Sequence, residues 1–131
     1  MRCYLLGLGS NISPDINIPS ACRALNMLGD VLQVSPVIAT TTVGDTFTGP
    51  FMNQLVILQT ELTEITLKEH LLAIESRHGR EAKTPARKIK DRTIDIDILM
   101  SAGNATDCLH ARLDESYYRE VQQHWLQEEN V

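Results

Sequence analysis

With 131 residues, 43% of them apolar and 22% charged, the chain has the size and balance of one ordinary globular domain. Its net charge of -5 argues against non-specific nucleic-acid binding over the whole surface. No run approaches the roughly 20 apolar residues of a membrane helix, and Cys3, Cys22 and Cys108 are scattered without a CxxC pair, which argues against both a zinc site and a disulfide framework.

In chain order, "CYLLGLG" (3–9) is an apolar run ended by glycine, which predicts a buried strand entering the turn "SNISPD". No signal-peptide cleavage site precedes it, so the expected location is cytoplasmic. "NIPSACRALNMLG" (17–29) places Ile18, Ala21, Leu25 and Leu28 at helical spacing, with Asn17 as cap, Pro19 in the first turn and Gly29 at the end. "VLQVSPVIAT" (31–40) is β-branched and predicts a second strand, which Pro36 confines to a sheet edge or a bulge. "TTTVGDTFTGP" (40–50) is a loop long enough to carry function.

"FMNQLVILQTEL" (51–62) predicts a third strand with Phe51, Asn53, Leu55, Ile57 and Gln59 on one side. "TEITLKEHLLAIESRHG" (63–79) predicts a helix opened by Thr63, closed by Gly79 and striped by Ile65, Leu67, Leu71, Leu72 and Ile74. A last strand is expected over 92–100. The order β-α-β-β-α-β is that of a ferredoxin-like α+β sandwich, a four-stranded antiparallel sheet with both helices on one face. Beyond it, "LDESYYREVQQHWLQ" (113–127) predicts a terminal helix with Val121 and Trp125 on one side. The expected organisation is one domain over 1–131, with a core to residue 100 and a divergent tail over 101–131.

"GLGSNI" (7–12) begins like a dinucleotide fingerprint, but Ile12 stands for the third glycine and Pro14 is expected to block an immediate helix. No GxxxxGK[ST] loop is present, and the four histidines lack zinc spacing. The informative stretch is "KDRTIDIDIL" (90–99). On a strand, Asp95 and Asp97 share a face with α-carbons about 6.5–7 Å apart, while Ile94, Ile96 and Ile98 face the core. Two carboxylates so placed can grip hard divalent cations; the alternative is a solvent face that is simply acidic.

The preceding stretch "RHGREAKTPARKIKDR" (77–92) holds seven of the twelve Lys and Arg against two acids, a local +5 that leaves -10 for the rest of the chain. Such a loop can be merely solvated. Joined directly to the acidic strand, it also supplies bases for phosphate oxygens beside acids for Mg²⁺.

The stretches "YLLGLGSN", "FMN", "LLAIESRHGR" and "DRTIDIDIL", over residues 4 to about 100, resemble the 6-hydroxymethyl-7,8-dihydropterin pyrophosphokinases of folate biosynthesis. The resemblance implies a ferredoxin-like, monomeric enzyme that takes ATP and a pterin as small-molecule partners, without nucleic acid or membrane. It implies that Asp95 and Asp97 hold two Mg²⁺ ions, that Arg80 and Arg92 contact the ATP phosphates, and that Glu75 and Ile98 lie against the nucleotide; Ala82 stands where the family has a second arginine, and the neighbouring Lys83 of the basic loop is taken as a nucleotide contact. Thr40, Val43 and Gly44 match the pterin loop, Phe51 its stacking aromatic and Asn53 the amide that pairs with the heterocycle. The chain departs from the family at Lys90-Asp91, where a Gly-Pro-like pair is usual, at Ile89 for an aromatic, and at Thr41 and Thr42 for prolines. Past residue 100 no Pro-His motif is found, and His110, Arg112, Tyr118 and Arg119 receive no role. A second reading keeps the fold and pocket as a pterin- or nucleotide-binding regulatory module with weakened catalysis.

Overall fold

The computed structural model describes residues 1–40, 51–79 and 93–129. Its elements are β1 (Arg2–Ser10), α1 (Pro14–Leu25), β2 (Asp30–Val34), β3 (Ile38–Thr40), β4 (Phe51–Thr60), α2 (Glu64–Arg77), β5 (Asp95–Ala102), α3 (Ala105–Leu109) and α4 (Ser116–Glu129). The sheet is antiparallel, in the order β2-β4-β1-β5, with β3 paired to β4 beside β2. This is the expected ferredoxin-like α+β arrangement, with the second strand divided in two. Among the described residues, no helix is long and apolar enough to cross a membrane.

The division of the second strand has a local cause. Pro36 offers no amide hydrogen to the ladder, and Ser35 takes over. Its N–H donates to the Leu55 carbonyl, and its hydroxyl accepts from the Leu55 N–H, both at 2.8 Å. The edge position expected from Pro36 is therefore seen, but as β2 and β3 flanking a side-chain-mediated gap.

Strand alternation sorts the core into two layers. Tyr4, Leu6, Leu8, Val56, Leu58, Ile94 and Ile96 face Ile18, Ala21 and Leu25 of α1 and Leu67, Leu71 and Ile74 of α2. On the other face, Cys3, Leu5, Leu55 and Ile57 meet Cys108, Leu113, Tyr118, Val121 and Trp125 from the chain's last thirty residues. The expected terminal helix is thus α4, preceded by the unanticipated short α3, and both cover the face that a bare sandwich would leave to solvent. The faces of a sheet each need a packed partner layer.

Several local expectations are corrected. Helix α1 starts at Pro14, not near Asn17: proline fits the first turn because its missing amide hydrogen has no helical partner there. Asn17 instead donates from Nδ2 to the Ile12 carbonyl at 2.6 Å. The helix ends at Leu25, short of Gly29, and Pro19 lies inside it rather than in its first turn. In α2, Ile65 and Leu72 are exposed, while Glu75 joins Leu67, Leu71 and Ile74 on the buried side. Thr63 does cap α2, accepting the Thr66 N–H, and Gly79, at φ 82°, terminates it. The last strand runs Asp95–Ala102, later than 92–100.

Candidate active site

Three neighbouring strands present one polar patch on the face shared with α4. In register, Gly9 of β1 lies between Asn53 of β4 and Asp95 of β5, and Gly7 lies between Leu55 and Asp97. The two glycines keep the floor of this patch low. A β-carbon on Gly9 would come within 2.8 Å of Asn53 Oδ1 and 3.4 Å of the Phe51 ring, and one on Gly7 would intrude on the Tyr118 ring. The start of "GLGSNI" is therefore strand, not a phosphate-binding turn.

Asn53 is 2% exposed, and its Nδ2 donates to Thr40 Oγ1 at 2.5 Å. Thr40 and Asn53, expected separately as pterin contacts, are thus joined across β3 and β4. Phe51 pairs with Thr40 at the same strand end. A ring, an amide and a hydroxyl converge there.

Asp95 and Asp97 project from β5 onto the same face, as the alternation required. The half-buried Asp97 carboxyl titrates above its ordinary value. Burial contributes most and the Asp95 charge next; a hydrogen bond from Tyr118 and the positive charge of Lys68 work the other way. Tyr118 Oη donates to Asp97 Oδ2 at 3.3 Å. Two close carboxylates that disfavour each other's ionisation are relieved by a cation, and oxygen donors of this kind suit Mg²⁺. Among the described residues no group of three or more His, Cys, Asp or Glu could hold a metal. A site of two carboxylates leaves the remaining positions to water and phosphate oxygens, the usual pattern for Mg²⁺. The donor set fits the ion.

Asp97 and Ile98 also border an open cleft of about 470 Å³, whose other walls are Glu64, Ile65, Lys68 and Glu69 of α2. Glu75 sits deeper, 5% exposed, and its Oε2 accepts the Ile96 N–H at 2.8 Å. It ties the acidic strand to α2 from the side opposite the carboxylates. Glu75→Ala leaves that buried amide without this acceptor and is expected to cost about 1–3 kcal/mol in urea denaturation, whereas Glu75→Gln, which keeps an acceptor oxygen, costs less.

Residues 5–123 match the family described as 7,8-dihydro-6-hydroxymethylpterin-pyrophosphokinase. The chain belongs to that family. Among curated relatives, the 2-amino-4-hydroxy-6-hydroxymethyldihydropteridine pyrophosphokinases of two Porphyromonas gingivalis strains are each 36% identical to it over 104 residues. The aligned part is 76% of this chain and 69% of each relative.

The match to the pyrophosphokinase family runs past residue 100, where the motif resemblance stops, and takes in Tyr118. Of the residues singled out from sequence, Thr40, Phe51, Asn53, Asp95 and Asp97 gather on one sheet face, Ile98 lines the adjoining cleft, and Glu75 lies beneath. Val43, Gly44, Arg80, Lys83 and Arg92 lie outside the described residues. Sequence reasoning missed Lys68 and Tyr118. Tyr118, Val121 and Trp125 share the 3-4 spacing of one buried helical stripe, which was a readable signal; Lys68 stands on a polar helix side and gave none.

Proposed function

We propose that this chain transfers the terminal diphosphate of ATP to the hydroxymethyl oxygen of 6-hydroxymethyl-7,8-dihydropterin, a step of folate biosynthesis. The observation that carries this reading is the paired Asp95 and Asp97 beside a glycine floor whose far end bears Phe51, Asn53 and Thr40. A flat heterocycle with a polar edge suits that end: Phe51 offers a ring to stack on, and buried Asn53, oriented by Thr40, offers an amide to pair with the edge. Val43 and Gly44 belong to the same pterin site in this reading.

The substrate hydroxyl attacks the β-phosphorus, the bond from that phosphorus to the α-β bridging oxygen breaks, AMP leaves, and the hydroxyl proton passes to solvent. Asp95 and Asp97 would hold two Mg²⁺ ions, which supply neutralisation of the phosphate charge when bound. Arg80, Lys83 and Arg92, from the +5 segment, add charge-assisted hydrogen bonds to phosphate oxygens, and Ile98 and Glu75 support the nucleotide side. Holding the two reactants in line is the larger part of such catalysis. The protein acts as a cytoplasmic monomer on small molecules, with neither nucleic acid nor membrane as partner. The intact acidic pair favours transfer over a purely binding or regulatory role.

The deciding measurement is AMP formation from ATP, Mg²⁺ and 6-hydroxymethyl-7,8-dihydropterin. AMP is expected to accumulate in equal amount to diphosphorylated pterin. Pterin binding with AMP at background would instead establish the regulatory reading.

A further inference from the structure

The Tyr118 side chain lies on the floor of this site and comes from the part of the chain to which the motif resemblance gives no role. It is 1% exposed. Its ring occupies the space that any side chain at position 7 would take, and Gly7 is the residue paired in register with Asp97. A buried tyrosine hydroxyl needs a partner. Here that partner is Asp97 Oδ2, at 3.3 Å.

The placement of the ring is built rather than incidental. Val121 and Trp125, 0% and 2% exposed, anchor α4 on the sheet. Arg119 Nη1 donates to the Leu113 and Asp114 carbonyls at 3.2 and 2.9 Å, and Gln122 Nε2 donates to those of Leu109 and Ala111 at 3.1 and 2.7 Å. Each bond ties α4 to the segment that leads into it. The phenol is thereby presented to β5 from a fixed helix.

We propose that Tyr118 is a positioning residue of the metal site: by engaging one oxygen of Asp97 it fixes the orientation of a carboxylate that would hold the cation. The inference rests on the assignment of Asp95 and Asp97 as metal ligands. Outer partners of this kind typically govern about 10- to 100-fold in metal affinity.

Mn²⁺ serves as the probe, titrated by electron paramagnetic resonance into the 131-residue chain with a non-hydrolysable ATP analogue. Tyr118→Phe keeps the ring on Gly7 and removes only the hydroxyl, and it is expected to weaken Mn²⁺ binding about tenfold with little change in melting temperature. Val121→Ala removes packing elsewhere on α4 while the helix stays docked and keeps the hydroxyl, so it is expected to lower the melting temperature and to weaken Mn²⁺ binding much less than Tyr118→Phe does. Unchanged Mn²⁺ affinity in Tyr118→Phe, alongside its loss in Asp97→Asn, would overturn the positioning role and leave the metal assignment standing. Equal weakening in Val121→Ala and Tyr118→Phe would reduce Tyr118 to a packing residue and overturn the role as well. Wild-type Mn²⁺ affinity in Asp97→Asn would remove the metal assignment itself, and the inference with it.

Discussion

Asp97→Asn is expected to cut diphosphate transfer by about a hundred- to a thousandfold and, at the same time, to raise the melting temperature of the metal-free protein at neutral pH. Both effects come from one carboxylate. Burial and the neighbouring Asp95 raise the Asp97 carboxyl above its ordinary value, so ionising it costs more in the folded chain than in the unfolded one. A carboxyl raised in the fold binds its proton more tightly there than in the unfolded chain. Its contribution to stability therefore falls as pH rises from the ordinary carboxylate range through the raised folded value. The neutral amide keeps an acceptor for Tyr118 and escapes that penalty, so the two proteins should differ most at neutral pH and converge under acid conditions where Asp97 is protonated. Melting curves at acid and neutral pH, with and without Mg²⁺, check the sign. Added Mg²⁺ is expected to raise the melting temperature of wild type and to do so less in the variant, because a ligand stabilises the state that binds it.

Trp125→Ala is expected to be among the most damaging substitutions for stability, at about 3–5 kcal/mol. The side chain is 2% exposed in the cluster that joins α4 to Cys3, Leu5, Leu55 and Ile57. Domains of this size are commonly stable by only about 5–15 kcal/mol, so the loss approaches the whole margin. Trp125 is also the chain's single tryptophan, and urea denaturation followed by circular dichroism avoids relying on the fluorescence that the substitution removes. A loss below about 1 kcal/mol, far under the range for a buried tryptophan, would mean that α4 adds little to the fold.

The parts legible in sequence were those governed by strict periodicity. Alternation in "TIDIDIL" placed Ile94 and Ile96 inward and Asp95 and Asp97 together on the opposite face, as the strand register shows. Pro36 announced the interrupted edge. Helix boundaries were harder, because proline both forbids a helix interior and favours its first turn, and only the conformation at Ser13 and Pro14 decides between them. The buried stripe of α2 was misjudged at Ile65, Leu72 and Glu75 because apolarity alone does not say which side meets the sheet; a carboxylate went inside since it could accept the Ile96 amide. The tail was opaque for a different reason. A stripe such as Val121 and Trp125 announces that a helix packs but not on which surface, and α3, of five residues, is too short to leave a period.

The hydroxyl of Tyr118 on Asp97 also makes the tail and the acidic pair thermodynamic partners. If a ligand at Asp97 is held better when α4 is docked, then α4 must dock more firmly when the ligand is present, by the same free energy. Helix α4 would then report on the occupancy of a site on β5, and its contacts with the sheet become a place where affinity can be adjusted while the acidic pair itself is left unchanged.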